Sequence, residues 1–329
     1  MVTGKDVAHR AGTSTAVVSY VFNNGPRNVS AATRERVLQA AAELGYQPNA
    51  LARALSFGRT ASIGLIVPDI ANRFFGELAR ALEASAAERG NVLLIGDSSL
   101  DPGRERSHVA AFVERRVDSL VLVSLQDQLD ITPLSRAGIP VVALHPVSAE
   151  VAASTISIDY ERAAAEAAGH LLSHGYGSIA LLNGPNESAG ANQHRAGFLA
   201  AVASARDVAH RELRSRIDRA SAAQVALDVL ARPDRPRAIS CTTDEQAYGV
   251  LFACHRLGLA VPEDVAVTGF DGTEHSGYSL PPLTTIRQPI RAMAERAVSL
   301  LTQSGSDPGD PVHEIAEYEL VLRESCGAH

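Results

Sequence analysis

Asp6-Val7-Ala8-His9-Arg10-Ala11-Gly12-Thr13-Ser14-Thr15-Ala16-Val17-Val18-Ser19-Tyr20-Val21-Phe22-Asn23 lies close to the start of the chain, and the remaining sequence is best read outward from it. Val7, Ala8 and Ala11 share one face of a short helix, and Gly12 supplies the left-handed backbone that stops it. Thr13 or Ser14 then caps a second helix. Val17, Val18 and Val21 point that helix inward, which leaves Thr15, Ala16, Ser19 and Tyr20 on or near the opposite face. Two short helices about a tight turn form a helix-turn-helix, whose second helix can enter a DNA major groove. Taken alone, the same pattern also describes an ordinary helical hairpin packed into a core.

The residues that follow favour the first reading. Ser30 caps a third helix reaching Leu44, with Val37, Leu38, Ala41 and Leu44 at helical spacing and Gly45 at its end. Three such helices suffice for a miniature core. Tyr46-Gln47-Pro48-Asn49 then opens a short helical segment from Ala50 to Leu55, and Ser56-Phe57-Gly58-Arg59-Thr60 leads to an apolar strand. A linker is therefore expected over 48–60, between a headpiece at 1–47 and a larger domain at 61–329.

Charge divides along the same line. The chain carries a net charge of −7, yet residues 1–60 hold seven basic against three acidic side chains, a net of +4, which leaves −11 for the rest. A cationic end on an acidic body concentrates attraction to phosphates where the helix-turn-helix lies. No basic segment followed by a short apolar run opens the sequence, and no apolar run is long enough to span a bilayer, so a cytoplasmic, non-membrane protein is expected. Cys241, Cys254 and Cys326 match no common zinc spacing and read as reduced, buried thiols.

From Ser62 onward, short apolar runs alternate with amphipathic helices, the mark of parallel strands covered on both faces. Strands are expected at Ile63–Val67, Val92–Ile95, Leu120–Val123, Val141–Leu144, Thr155–Ile158, Ile179–Leu182, Ala238–Cys241 and Val265–Phe270. Helices are expected at Phe75–Arg89, Arg104–Arg115, Glu161–His174, Gln193–Ala203, Ser221–Leu230, Glu245–Leu257 and Ile290–Leu301. This suggests two doubly wound parallel sheets, one lobe over 62–158 with 287–329 and the other over 159–286. Ligands of such sheets bind beyond the carboxyl ends of the strands. Asp69, Asn72, Ser124, His145, Thr243, Asp244 and Asp271 fall at those ends, although Asn72, Asp159 and Asp244 serve equally well as helix caps.

The chain resembles the lactose-repressor family of bacterial transcription regulators. The likeness is carried by Asp6-Val7-Ala8, Ala11-Gly12-Thr13-Ser14, Val18-Ser19, Val21-Phe22-Asn23, Val29-Ser30, Thr33-Arg34, and Leu44-Gly45-Tyr46-Gln47-Pro48-Asn49 with Ala52-Arg53 and Leu55. It continues through Gly64-Leu65-Ile66-Val67-Pro68-Asp69, Asn72 with Phe74-Phe75, Arg195-Ala196-Gly197-Phe198, Gly269-Phe270-Asp271, Leu283-Thr284-Thr285-Ile286 with Gln288-Pro289, and Leu322-Arg323-Glu324-Ser325. The ordered set spans nearly all 329 residues.

The resemblance implies an all-α helix-turn-helix headpiece with a hinge helix, followed by an α/β, two-lobed, periplasmic-binding-protein-like domain. It implies a homodimer on a pseudo-palindromic operator in double-stranded DNA, with affinity set by a small-molecule effector, most simply a carbohydrate. By position, Thr15, Ala16 and Tyr20 read bases, while Ser14, Ser19, Asn23, Ser30 and Thr33 hold phosphates. Tyr20 stands where many members have arginine. Asn49, Ala52 and Arg53 match hinge positions, and Leu55 matches a leucine wedged into a central base step, its alternative being to pack one hinge against its partner.

For the effector, the resemblance assigns Arg195 and Asp271 as a clamp, expected on opposite lobes, with Asp69, Asn72, Ser124, His145 and Thr243 as further contacts. Phe74 stacks on the ligand or belongs to the core. Arg73 replaces the proline of the family's Asn-Pro-Phe-Phe motif. No coiled-coil heptads follow Ser325, so a dimer is expected rather than a tetramer.

Two other classes deserve comparison. A sugar-transport binding protein would share the lobes but not the DNA-reading unit, and a regulator answering to a corepressor or protein partner would share both. The sequence holds no phosphate-binding loop, no dinucleotide fingerprint and no nucleophile elbow, so no enzyme and no cofactor are expected. His170 and His174 lie four apart, but Leu171 stands where a metalloprotease needs glutamate. The pair reads as favourable charge at a helix C-terminus, with no metal expected.

Overall fold

A computed structural model describes residues 2–23, 28–47, 58–126, 129–147, 153–303 and 310–327. The expected hinge helix, including Asn49, Ala52, Arg53 and Leu55, lies outside the described residues. The chain forms two compact units, Met1–Ala61 and Ser62–His329.

The first unit holds α1 (Gly4–Ala11), α2 (Thr15–Asn23) and α3 (Ala31–Leu44). Thr3 and Asp6 form a capping box on α1, and Gly12 ends it in the left-handed region at φ 63°. The Ser14 Oγ accepts from the Val17 backbone N–H at 3.3 Å, and Ser30 caps α3 through Thr33. Val7, Ala8, Ala11, Val18, Val21, Val37, Ala40 and Ala41 make the core, with Phe22 and Tyr46 edge to face at 5.7 Å. Leu38, expected inside, is 46% exposed, and Ala40 takes its place in the core.

The second unit contains two six-stranded sheets. Its first lobe is built from β1 (Ser62–Val67), α4 (Arg73–Glu88), β2 (Val92–Asp97), α5 (Pro102–Glu114), β3 (Ser119–Leu122), α6 (Thr132–Arg136), β4 (Val141–Ala143) and β5 (Ser154–Ile158). The second lobe runs through α7 (Tyr160–Ser173), β6 (Ser178–Asn183), α8 (Ala189–Ala203), β7 (Ala209–Arg214), α9 (Arg219–Leu230), β8 (Ala238–Cys241), α10 (Asp244–Leu257), β9 (Ala266–Asp271), a 3-10 turn at Glu274–Tyr278, and β10 (Thr284–Arg287). The chain then returns through α11 (Ile290–Gln303), β11 (His313–Ala316), β12 (Glu319–Val321) and a 3-10 turn at Glu324–Cys326.

The first sheet has the order β11-β5-β4-β3-β1-β2 and is parallel throughout. The second, β12-β10-β9-β8-β6-β7, is parallel except where β12 meets β10. Residues 287–329 are therefore not confined to the first lobe as expected, because β12 and the last turn belong to the second. Four strands, β7, β10, β11 and β12, lack the apolar runs by which the others announce themselves: β7 reads Ala-His-Arg-Glu-Leu-Arg and lies at a sheet edge.

Each sheet is covered on both faces. In β1, Ile63, Leu65 and Val67 pack toward Leu78 and Leu82 of α4 and Met293 and Val298 of α11, whereas Ile66 meets Val109 and Phe112 of α5. In β6, Ala180 and Leu182 join the α9 and α10 core, while Ile179 and Leu181 join Leu171 of α7 and Phe198 of α8. Burial of a side chain of this size contributes about 1.5 to 3 kcal/mol, so these alternating stripes fix both strand register and helix placement. They also carry the strand ends to one rim.

Candidate functional site

Two surfaces carry the chemistry, and each belongs to one unit. On the headpiece, Ser14, Thr15, Ala16 and Ser19 are exposed and Tyr20 is half-buried, opposite the inward Val18 and Val21. Ser30 is exposed and Thr33 half-buried at the start of α3. Asn23 ends α2, and Arg34 donates to the Val21 carbonyl at 3.3 Å, tying α3 to the last turn of α2. A short helix thus presents small and hydroxyl-bearing side chains over its first turns, a face that fits a groove edge.

Within the second unit, the strand ends enclose a cavity that is partly open to solvent. Asn72, after β1, caps α4 by accepting from the Phe74 N–H at 2.9 Å. His145 follows β4, Asn183 ends β6, Thr242 and Thr243 follow β8, Phe270 and Asp271 end β9, and Gln288 follows β10. Tyr160 enters from the first turn of α7 and His194 from α8. Phe74 both lines the cavity and packs into the first-lobe core.

One wall is aromatic. Tyr160 lies 5.3 Å from Phe270 between ring centroids, and the His194 ring stands edge-on to both, at 5.2 Å and 4.5 Å. Burial drops His194 to a pKa of about 3 and His145 to about 4, so both rings are neutral at physiological pH. Burial also raises the Tyr160 hydroxyl, which keeps its proton.

Two buried carboxyls, Asp271 in the cavity wall and Asp244 beside it, behave as a pair. Asp244 accepts from the Thr273 N–H and hydroxyl, both at 2.8 Å, and from the Thr285 hydroxyl at 2.6 Å. Asp271 receives only long contacts, from the Asp244 N–H at 3.4 Å and the Gln288 amide at 3.3 Å. Burial and the neighbouring Asp244 charge push Asp271 well above the ordinary carboxylate range. Burial raises Asp244 too, to about 7, but the hydrogen bonds from Thr285 and Thr273 make it the more readily ionised of the two, which leaves the proton on Asp271, where it can be donated to a ligand. Asp271 holds this position with a backbone φ of 121°, costly for a residue with a side chain. Among the described residues, the buried Gln288 Oε1 has no hydrogen-bond partner.

Three expected contacts do not line the cavity. Asp69 turns its carboxyl back to the Ala71 N–H at 2.9 Å. Ser124 lies behind His145, donating to Glu105 at 2.8 Å, while its N–H reaches the His145 ring. The Arg195 side chain is 41% exposed and binds Glu212 at 2.6 Å and Glu187 at 3.5 Å. Arg195 and Asp271 do not sit on opposite lobes, since both belong to the second. Arg195 is held aside because β7 brings Glu212 beside it. Tyr160, Asn183, His194, Thr242, Phe270 and Gln288 were not expected as contacts, although Phe270 and Gln288 lie inside stretches that carry the family likeness.

Arg73, in place of the usual proline, starts α4 and reaches across the lobes to His275, and the Glu274 N–H donates to Glu77 at 3.2 Å. Asp159 acts as a helix cap, accepting from Arg162 at 2.9 Å.

The comparisons with known proteins follow the same division. Residues 3–49 match the model of bacterial regulatory proteins of the lacI family, and residues 168–326 match a periplasmic binding protein-like domain. The chain is 33% identical over 336 residues to the HTH-type transcriptional repressor PurR of Vibrio vulnificus (strain CMCP6), covering 99% of this chain and 98% of that one. The crystal structure of the lac repressor dimer bound to operator and the anti-inducer ONPF superposes with a TM-score of 0.87, at 29% identity over 99% of both chains. A transcriptional regulator CelR–cellobiose complex gives 0.72, at 26% identity, covering 99% of this chain and 100% of that one. With a helix-turn-helix headpiece and an effector-binding domain, and with transcriptional repressors rather than enzymes as its relatives, this chain belongs to the lacI family of bacterial regulatory proteins.

Proposed function

We propose that the protein binds a pseudo-palindromic operator as a homodimer in the cytoplasm, and that a neutral, hydroxylated small molecule with one apolar face, a sugar or glycoside, controls that binding from the cavity. The observation that carries the effector class is the buried Gln288 Oε1, an acceptor awaiting a donor in a cavity lined by aromatic rings, neutral histidines and amides. Among the described residues no Lys or Arg lines it, so a phosphorylated or carboxylated ligand would find no counter-charge there. Hydroxyls can meet Gln288, Asp271, Asn183 and Thr242, while Phe74, Tyr160 and Phe270 take the apolar face. Cellobiose in the CelR complex supports this class.

On DNA, Thr15, Ala16 and Tyr20 read base edges, and Ser14, Ser19, Asn23, Ser30 and Thr33 hold phosphates. Asn49, Ala52 and Arg53 accompany Leu55, which enters the minor groove as a wedge. The effector acts by changing how the lobes of two protomers meet and hence the spacing of the headpieces.

A thermal-shift screen of neutral sugars, glycosides, sugar phosphates and nucleobases, followed by gel-shift titration, tests the proposal. Stabilisation by a neutral hydroxylated ligand that also changes operator affinity is expected. Stabilisation only by phosphorylated compounds or by free bases would overturn the ligand class. Leu55→Ala should weaken operator binding about tenfold or more, as unstacking contacts are worth a few kcal/mol, while nonspecific DNA binding changes little. Equal losses on both DNAs would remove the wedge.

A further inference from the structure

The side chains of His170, His174 and Cys326 converge where the C-terminal end of α7 meets the last 3-10 turn. Their ligand atoms lie within 4.8 Å of one another. The His170 Nε2 is 3.2 Å from the Cys326 Sγ and 3.3 Å from the His174 Nε2. In a tetrahedral zinc site with Zn–N of about 2.0–2.1 Å and Zn–S of about 2.3 Å, neighbouring donor atoms stand about 3.3 to 3.6 Å apart. Two of the three edges in this cluster thus need only small movements to accept the ion. We propose that His170, His174 and Cys326 form a zinc site with three protein ligands and one position left to solvent.

The surroundings fit a built site. Leu171 is buried between the two histidines in sequence and anchors this turn of α7, which sends both imidazoles to one face four residues apart. Cys326 is buried, whereas His174 remains partly accessible and provides the path of entry. Gly327 runs so close to the His174 ring that an added Cβ would stand 2.9 Å from its Nδ1 and Cε1, in a backbone conformation suited to glycine. The Tyr176 hydroxyl donates to the Cys326 carbonyl at 3.2 Å, and the Thr284 hydroxyl lies 2.9 Å from the Sγ. Metal binding transfers the Cys326 thiol proton to solvent, after which Thr284 can turn its O–H toward the thiolate. A thiolate with two imidazoles is a donor set that suits zinc and disfavours magnesium or calcium.

The site is separate from the effector cavity, since Tyr160 lines that cavity from the opposite end of α7, about 15 Å away along the helix. Its structural effect is local. The Ser325 hydroxyl of the last turn donates to the Val267 carbonyl at 2.6 Å and accepts from the Thr284 N–H at 2.9 Å. A metal at Cys326 therefore fastens β9 and β10 to α7.

Full-length protein, stripped with chelator in the presence of a non-thiol reductant, is loaded with zinc or cobalt(II) and freed of excess metal. One equivalent of zinc per chain, a rise in Tm, and a thiolate-to-cobalt charge-transfer band are expected. Cys326→Ser should abolish the band, and His174→Gln should weaken cobalt affinity more than about tenfold, as loss of a direct ligand exceeds loss of a supporting group. His255→Gln, on the exposed side of α10, should change neither. If Cys326→Ser fails to fold, the partly exposed His174 carries the test alone. Failure to retain zinc, or cobalt binding that lacks the thiolate band or is indifferent to His174→Gln, overturns the proposal.

Discussion

Replacing Gln288 by Met removes a buried acceptor that stands without a partner among the described residues of the cavity and keeps the side chain's length. In the ligand-free protein the change removes a long bond to Asp271, 3.3 Å, and a hydrogen bond with the Tyr160 hydroxyl, and also a polar atom buried at a cost. These effects oppose each other, and stability should move by less than about 1 kcal/mol. With effector present they no longer cancel. A hydrogen bond to a neutral donor contributes about 0.5 to 1.5 kcal/mol, so Kd should rise about tenfold at the upper end of that range.

Thermal unfolding with and without effector reads this difference directly. At one hundred times the wild-type Kd, the ligand adds about 2.7 kcal/mol to the native state, and a tenfold weaker site receives about 1.4 kcal/mol. For a domain of this size, 1 kcal/mol corresponds to about 2 to 4 °C in Tm. The effector-induced shift should therefore fall by roughly half while the apo Tm stays almost constant. An unchanged shift would show that Gln288 does not touch the ligand. A large drop in apo Tm would show that the residue serves the fold.

Two further outcomes concern the same lobe. His194 has a folded-state pKa depressed to about 3 by burial, so the unfolded chain takes up a proton that the folded protein refuses as pH falls from about 6.5 toward 3. Its contribution to stability is complete above pH 6.5 and lost on acidification. The difference in unfolding free energy between His194→Gln and wild type, followed between pH 7 and 4 by urea titration, should move in favour of the variant by about 1.4 kcal/mol per pH unit below 6.5. A pH-independent difference would mean that this ring is solvated. Gly197→Ala places a methyl 2.0 Å from the Glu161 carbonyl and 2.9 Å from the Ala165 N–H, where α7 and α8 cross. It should cost about 1 to 3 kcal/mol, seen as a lower Tm, and an unchanged Tm would show that the helices part freely.

The parts of the structure that were legible beforehand are those where one periodicity dominates. Val7, Ala8 and Ala11, then Val18 and Val21, mark two helices that share a core, and runs such as Ile63–Val67 mark strands buried on both faces. β7 and β12 were invisible for the opposite reason: they lie at sheet edges, where one side meets solvent and the sequence is mixed. The cavity was only partly readable. Polar residues just after clear strands, such as His145 and Thr243, could be placed, but Tyr160 and His194 come from helices whose rotation depends on packing. Arg195 matched a family position, yet its partner Glu212 lies on a strand the sequence hides. Likewise His170 and His174 were noticed as a pair, and Cys326, 152 residues beyond His174, joins them only through the fold.

The chain passes between the two lobes three times, and its last passage has a temporal consequence. β11 completes the edge of one sheet and β12 the edge of the other, both within residues 313–321. During synthesis α1, α2 and α3 are complete once Leu44 has left the ribosome, whereas both sheets of the second unit keep an open border until residues 313–321 are made. Nascent chains of this protein thus leave the β5 border open from residue 158 to residue 313, whereas the β10 border waits only from residue 287 to residue 319, so the first sheet is the longer exposed to mispairing.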